Sequence, residues 1–87
     1  MPLSRAKTGE PRADKNGIVF PMEDEGGVLV ICEVSYDYLR KRPGVTISSI
    51  GKEMLLHFEA FRDEIEDIAR DKYEQQKPPF VTSDASA

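Results

Sequence analysis

Most of the residue types that carry chemistry are scarce in this sequence. It has one cysteine, Cys32, one histidine, His57, and no tryptophan. A single cysteine excludes an intramolecular disulfide, and nothing in the sequence has the clustered cysteine and histidine spacing of a zinc site. Glycine-rich phosphate loops, Gly-x-Ser-x-Gly nucleophile turns and calcium-loop patterns are also missing. We therefore assign no catalytic, cofactor-binding or metal-binding residue, expect no cofactor, and find no motif that supports an enzyme.

Long apolar runs are missing as well. No stretch approaches the roughly 18–20 residues that a membrane-spanning helix needs, and the first sixteen residues lack the apolar centre of a secretory signal. These absences predict an intracellular and, by default, cytoplasmic protein without membrane contact. At 87 residues the chain predicts one domain, and a core this small would be stabilised by dimerisation.

The charges that are present divide the chain unevenly. The formal net charge is −4, yet residues 1–16 hold four basic and two acidic side chains, whereas residues 47–76 hold four basic and eight acidic ones. An acidic helix is poorly suited to lie on phosphates, so a nucleic-acid partner is not favoured. Composition further predicts a flexible tail over residues 1–16, an α+β domain over residues 17–82 and a disordered tail over residues 83–87.

Two β-prone stretches open the predicted domain. Residues 18–20 end at Pro21, and residues 28–34 form the clearest strand, with an acidic, glycine-containing turn between them. This pattern predicts an antiparallel hairpin. Because the second strand is apolar at both even and odd positions near its start, we expect it to be central in the sheet or covered on both faces. Residues 80–82, after Pro78 and Pro79, are a candidate third strand.

Two helices are predicted after the hairpin. Ser35 is a suitable N-cap for a short helix over residues 35–42, which Pro43 and Gly44 would end. A long helix, capped at Thr46 or Ser48, should run to about residue 76, because apolar side chains recur at steps of three or four: Ile50, Met54, Phe58, Phe61, Ile65 and Ile68. The expected fold class is α+β, with the hairpin packed against one short and one long helix.

This order of elements resembles a known family. The residues that carry the resemblance are Val19-Phe20 and Cys32-Glu33-Val34-Ser35 in the hairpin, Leu39 in the short helix, and Phe58, Phe61-Arg62, Ile65, Ile68-Ala69 and Lys72-Tyr73 in the long one. Over roughly residues 17–82 the chain is similar to the small bacterial proteins of domain-of-unknown-function family 1488. The resemblance implies a compact α+β unit with strands first, helices next and often a final strand. It implies no activity, since that family is itself uncharacterised.

Cys32 and His57 are the candidates for reactivity. Cys32 is in phase with Val30 and Val34, and no neighbouring positive charge or base would lower its pKa, so we interpret it as a buried structural cysteine. His57 lies at the edge of the apolar stripe with Glu53 four residues earlier, a pairing that usually stabilises a helix locally. A binding or catalytic site centred on His57 is the alternative interpretation.

Three surface features allow an interaction role. Arg40, Lys41 and Arg42 either satisfy the carbonyl end of the short helix or form a patch for an acidic partner. Leu56 and Ala60 lie opposite the apolar stripe, as an isolated exposed pair or as a second contact surface. An acidic strip is expected to be a solvated helix face: Glu59, Asp63, Glu66, Asp67 and Asp71.

These features predict a small, non-catalytic interaction or regulatory module, with a homodimer or another protein as the candidate partner. Its candidate interaction residues are Arg40, Lys41, Arg42, Leu56, His57 and Ala60. Two alternatives stay open: a nucleic-acid-associated regulator that uses the basic cluster, and a small-molecule-binding protein or enzyme centred on His57.

Overall fold

The protein folds into a mixed β-sheet with helices on one face. The structure is a computed structural model that describes residues 3–42 and 51–82. The α+β class predicted from the sequence is confirmed. In chain order the elements are β1 (Ser4–Arg5), β2 (Arg12–Ala13), β3 (Gly17–Glu23), β4 (Leu29–Ser35), α1 (Tyr36–Arg40), α2 (Gly51–Ala60), α3 (Arg62–Glu74) and β5 (Phe80–Val81).

The hairpin of β3 and β4 is the centre of the sheet. The two strands pair antiparallel over seven residue pairs, from Gly17 opposite Ser35 to Glu23 opposite Leu29. Asp24 closes the turn, because its Oδ1 accepts hydrogen bonds from the backbone N–H of Gly26 at 2.9 Å and of Val28 at 3.0 Å. The predicted hairpin is therefore present, although β3 continues through the proline that was expected to end it.

Pro21 is accommodated because its missing N–H faces a gap. Glu33 donates its N–H to the Pro79 carbonyl at 3.3 Å, so odd-numbered residues of β4 direct their backbone groups away from β3. Pro21 lies opposite Ile31 and therefore has its nitrogen on the side of β1 and β2. On that side β3 pairs first with β2 and then with β1, and residues 6–11 loop out between them. β3 therefore continues through Pro21, and the strand pairing beside it is divided between β1 and β2, because Pro21 has no N–H to donate to a partner.

The N-terminal segment contributes to the sheet, which its composition did not predict. β1 and β2 pair antiparallel with β3, and the side chain of Leu3 is buried in the core. Strands of two residues are too short to show a hydrophobic period, so sequence patterns do not reveal them. Pairing is not a measure of mobility, so the boundaries at residues 1–16 and 17–82 stay predictions. Residues 83–87 lie outside the described part of the chain.

The candidate third strand is present as β5, but its direction makes the sheet mixed. β5 pairs parallel with β4, with Glu33 opposite Phe80 and Val34 opposite Val81. The path through the sheet is β1, β3, β4, β5, with β2 also beside β3. All three helices lie in the connection from β4 to β5, as a parallel crossover requires.

The prediction of one long helix is wrong. α2 ends at Ala60 and α3 begins at Arg62, because Phe61 has φ −111° and ψ 16°. Hydrogen bonds still cross the break, since Phe61 donates to the carbonyls of His57 and Phe58. α2 contacts β2 and β3 while α3 contacts β1 and β5, so the break lets each half follow a different part of a twisted sheet. The expected helix start, with Thr46, Ile47, Ser48 and Ile50, and the stop at Pro43 and Gly44 lie outside the described residues.

The apolar stripe of α2 and α3 packs on the inner face of the sheet. The rings of Phe20 and Phe58 meet at 5.1 Å between centroids, and Tyr38 and Leu39 of α1 extend the core at one end. Phe61 and Ile68 pack partly buried against the core. The fully buried apolar side chains are Leu3, Ile18, Phe20, Met22, Cys32, Val34, Tyr38, Leu39, Met54, Phe58, Ile65, Ala69 and Val81. Within the described ranges, no helix combines the length and the apolar character that crossing a membrane requires.

Candidate functional site

The basic cluster at the end of α1 is largely engaged with its own chain. The guanidinium of Arg40 lies 5.7 Å from the ring centroid of Tyr36 and 3.7 Å from the Asp37 carboxylate. Lys41 is the C-cap residue of α1, and its side chain is exposed. Arg40 and Lys41 are therefore both exposed, and Arg40 also lies beside Tyr36 and Asp37.

Arg42 attaches the end of α1 to α3. Its guanidinium lies 4.7 Å from the ring centroid of Tyr38, and its Nη1 donates to Glu64 Oε2 at 2.9 Å. The Tyr38 hydroxyl donates to the same oxygen at 2.7 Å. Burial, and then the hydrogen bond to Glu64, raises the pKa of Tyr38 to about 12. This arrangement fixes α1 against α3 and leaves Arg42 a structural role.

Leu56, His57 and Ala60 lie on α2, away from the core. Leu56 is 71 % exposed, and Ala60, one turn later, is also exposed. His57 is half-buried beside them. Leu56 and Ala60 thus form a small apolar spot, and the structure brings His57 next to it without enclosing the imidazole.

Cys32 lies in the core and has the properties of an inert thiol. Its Sγ is 3.7 Å from the carbonyl oxygen of Val30, within the same strand. Burial raises its thiol pKa to about 12, and the negative charge of Glu66 adds to the effect. A nucleophilic cysteine needs the thiolate, so Cys32 is protonated and unreactive at neutral pH.

Glu66 does not belong to a solvated acidic face, and that part of the predicted acidic strip is wrong. It is 4 % exposed, and its carboxylate lies between two guanidinium groups. Arg5 donates to both carboxylate oxygens at 3.0–3.2 Å, and Arg62 Nε donates to Oε2 at 2.9 Å. Arg5 also pairs with Asp63. The buried carboxylate is stable here because hydrogen bonds from two guanidinium groups replace the hydrogen bonds that water would supply.

The outer face of the sheet, the face opposite the helices, and its adjoining turn carry four of the five exposed large apolar side chains among the described residues. Alternation along the strands puts these side chains on the outer face: Val19, Pro21 and Glu23 of β3, Leu29, Ile31 and Glu33 of β4, and Phe80 of β5. Leu29 is 49 % exposed, Ile31 is 60 % and Phe80 is 47 %, with Val28 at 62 % in the adjoining turn. β4 is central, between β3 and β5, which agrees with one of the two expectations for this strand, whereas its outer face is not covered.

The sequence did contain a signal for this outer face. The even positions of β4 are Val30, Cys32 and Val34, whereas the odd positions end in Glu33. A charged residue in phase with Leu29 and Ile31 marks the solvated side of a half-buried strand. The apolar character of Leu29 and Ile31 does not by itself distinguish a buried face from an exposed contact surface, so the sequence pattern alone does not identify the four exposed residues.

The described residues form two concave regions, and the first lies beside this face. The first, which we call the side groove, has a volume of about 240 Å³ and is lined by Val19, Pro21, Leu29 and Ile31 together with Gly9, Glu10 and Arg12 of the preceding segment. The second, the edge cleft, has a volume of about 680 Å³ and lies between the hairpin turn and the end of α3. His57 lines neither region. In residues 3–42 and 51–82, no three Cys, His, Asp or Glu side chains converge as metal ligands would.

The family model for protein of unknown function (DUF1488) matches residues 8–79. The chain belongs to the DUF1488 family. The match spans β2 to α3 and ends just before β5, so the resemblance seen in the sequence is confirmed. No curated protein and no solved structure matches this DUF1488 chain. Membership assigns no activity, and the function has to be argued from the geometry of the surface.

Proposed function

We propose that this DUF1488 protein is a non-catalytic interaction module that forms a homodimer through the outer face of its sheet. The observation that carries the proposal is the grouping of exposed apolar side chains. Four large ones lie together on the outer face and its adjoining turn: Val28, Leu29, Ile31 and Phe80. Among the described residues, Leu56 is the fifth such side chain and lies apart on α2. Contiguous exposed apolar patches mark contact sites more often than scattered residues do.

The shape of the outer face fits a second copy of the same chain. Leu29 and Ile31 project from the sheet, and both also line the side groove beside them. A two-fold axis brings the same patch together from both copies, so a surface that carries both a ridge and a groove can be complementary to itself. The groove has an apolar wall of Val19 and Pro21 to receive the partner's side chains.

The size of the face predicts a concentration-dependent dimer. A seven-residue strand is about 23 Å long and four strand positions span about 19 Å, which gives a flat area of about 440 Å². A stable interface of standard size covers about 800 Å² on each partner. The hairpin turn with Val28 and the loop of residues 6–11 would have to contribute the remainder. We therefore expect monomer and dimer to exchange at micromolar concentrations.

The non-catalytic part of the proposal is supported by the two residues that could have carried chemistry. Cys32 is buried with a raised pKa, and His57 lies outside both concave regions. The nucleic-acid alternative is less favoured, because Arg42 is paired with Glu64 over the ring of Tyr38, and Arg40 lies beside Tyr36 and Asp37. We also propose a cytoplasmic location, which fits a sole cysteine in the core, and which fractionation of cells that express the protein would test.

Sedimentation of two matched variants tests the dimer. The wild-type mass should rise from one chain toward two chains as concentration rises, and Ile31→Lys should keep it at one chain, because a lysine would place a charge inside the interface. Leu56→Lys is the control, since Leu56 is the exposed leucine away from the outer face, and it should dimerise like the wild type. A wild-type monomer at high micromolar concentration would overturn the proposal. Loss of the dimer in Leu56→Lys alone would move the contact to α2.

A further inference from the structure

The edge of β4 that faces away from β3 is only half covered. β5 pairs with Glu33 and Val34, and within the described residues no strand pairs with residues 29–31 on that side. The chain before β5 cannot extend the ladder, because Pro78 and Pro79 have no N–H to donate. Since odd-numbered residues of β4 direct their backbone groups to this side, the N–H and C=O of Leu29 and Ile31 point toward it. The open stretch therefore offers two donors and two acceptors in strand geometry.

This open stretch lacks the protection that edges usually have. Natural sheets guard an exposed edge with charged side chains, prolines or bulges. Here the run is Val28, Leu29, Val30 and Ile31, which is apolar and uninterrupted. Each of these residues also has a high tendency to form strands, with the exception of Leu29. Such an edge is a template for an added strand.

The edge cleft lies between the turn that precedes the open stretch and the segment that leads into β5, and residues 28–31 themselves are not part of its lining. One wall is the hairpin turn, with Asp24, Glu25 and Gly26, and the other is the end of α3 and the segment before β5, with Tyr73, Glu74 and residues 76–79. Along the edge, residues 29–31 lie between the turn and Pro79. The volume of about 680 Å³ falls in the range of pockets that hold a small ligand or a short peptide.

The charge of the cleft selects the kind of occupant. Its walls carry three carboxylates, Asp24, Glu25 and Glu74, and one cation, Lys77. Glu25 and Glu74 are both exposed, so their charges are available to an incoming chain. Tyr73 adds an aromatic surface on which the stem of a lysine or arginine can pack. A second copy that placed its own β4 edge here would bring its cleft carboxylates against these, so a symmetric copy is disfavoured as the occupant of the cleft.

We propose that the β4 edge and its cleft bind an extended, basic segment of a partner protein by strand addition. The backbone of residues 29–31 supplies the hydrogen bonds, and the carboxylates of the cleft pair with lysine or arginine side chains of the segment. The site uses the backbone at the edge of β4, whereas the homodimer uses side chains of the outer face, so neither proposal depends on the other.

Two synthetic five-residue peptides test the charge and the location. One alternates valine with lysine and the other alternates valine with glutamate. Titration into ¹⁵N-labelled protein should shift the amide resonances of residues 28–31 and 73–77 with the lysine peptide. The glutamate peptide should bind about tenfold more weakly or worse, because it meets like charges. Equal binding of the two peptides, or no shift with either at millimolar concentration, would overturn the proposal.

A pair of substitutions at Ile31 separates strand addition from side-chain contact. Ile31→Pro removes the edge N–H and should abolish binding of the lysine peptide, whereas Ile31→Ala keeps the N–H and should retain binding while weakening the homodimer. If Ile31→Pro does not fold, the double substitution Glu25→Lys with Glu74→Lys tests the same site through its charge and should cost about tenfold in affinity. Undiminished binding of the lysine peptide to a folded Ile31→Pro variant, or to the double variant, contradicts the proposal. Shifts at residues 73–77 that follow protein concentration without peptide would make the cleft a contact between copies and overturn the proposal, because these residues lie outside the outer face that the homodimer uses.

Discussion

Gly17 has a packing role that only the pairing of β3 and β4 explains. It lies opposite Ser35 at the start of β3, and a Cβ atom added there would overlap the carbonyl oxygen of Val34. The neighbour is backbone of the central hairpin, so it cannot move without disturbing the ladder. The lack of a side chain at this position lets the two strands approach each other.

Gly17→Ala should therefore be destabilising, by about 2–3 kcal/mol, because the overlap has to be relieved by backbone shifts. Gly26→Ala is the matched control, since the nearest atom to its added Cβ is Asp24 Oδ1 at 3.5 Å, an ordinary contact. Urea denaturation followed by circular dichroism would measure both. A Gly17→Ala midpoint equal to that of Gly26→Ala would contradict the structural role given to Gly17.

Single residues show where sequence reasoning works and where it fails. Cys32 was predicted to be buried because its neighbours in phase, Val30 and Val34, are apolar, and that local pattern is sufficient. Glu66 was predicted to be solvated because its neighbours on the helix are acidic. Its decisive partner, Arg5, lies 61 positions away in the sequence. No local pattern can reveal a pairing over that separation.

Among the elements, β1 has more contacts with the core than its two residues suggest. Leu3, just before it, is fully buried, and Arg70 Nε donates to the Leu3 carbonyl at 2.6 Å. Arg5 within β1 pairs with Glu66 of α3. The N-terminal segment is thus attached to α3 by the apolar side chain of Leu3, by its backbone carbonyl and by the ion pairs of Arg5 with Asp63 and Glu66.

Leu3→Ala should cost about 2–4 kcal/mol, as for other leucines removed from a core. Deletion of residues 1–16 should cost more, because it also removes Arg5 and leaves Glu66 with only Arg62 as a cation. Thr8→Ala, at an exposed position between β1 and β2, is the control and should change little. Urea midpoints provide the measurement. A truncated chain as stable as the wild type would mean that these residues are the dispensable tail that their composition predicts.

The break between α2 and α3 illustrates a different limit on prediction from sequence. Glu59, Ala60, Phe61 and Arg62 include no proline or glycine, so nothing local marks a helix end. The apolar period continues correctly through the break, which is why Phe58 and Ile65 both reach the core. The period thus gives the inward face of the helices, whereas their division depends on the curvature of the sheet beneath them.

At the scale of the whole molecule, the buried thiol of Cys32 and the buried hydroxyl of Tyr38 make the free energy of unfolding decrease at alkaline pH. The pKa of Cys32 rises from 9.0 to about 12 and that of Tyr38 rises from 10.0 to about 12, in both cases chiefly by burial. A raised pKa in the fold means that folding favours the protonated form. The resulting contribution to stability is complete below the unfolded pKa values and is lost as pH rises through the interval to about 12.

We therefore expect the free energy of unfolding of the wild type to fall above pH 9. In Cys32→Val the fall should be shallower, because valine does not titrate and fits the same strand position. Urea denaturation at a series of pH values would provide both curves. Tyr38 is unchanged in this variant, so its share of the slope should persist. Identical slopes for the two proteins would mean that the cysteine does not contribute to the pH dependence.

Sequence and structure agree most on the elements that local chemistry determines. The hairpin, the short capped helix and the inward-facing stripe follow from turn chemistry, capping and period, all of which are local. The strands at both edges of the sheet were missed or left open, because β1, β2 and β5 have two residues each and depend on partners supplied by the hairpin. The exposed outer face was missed because apolar residues alone do not tell which side of a sheet is covered.

The parallel pairing of β5 with β4 has a consequence for the order of assembly. The hairpin joins residues close in sequence and can form early, whereas β5 must wait until the whole helical connection has been laid down. During synthesis the sheet can be completed only after residue 81 has emerged from the ribosome. Until then the edge of β4 beside Glu33 and Val34 is bare, and that interval is when nascent chains are most exposed to mispairing.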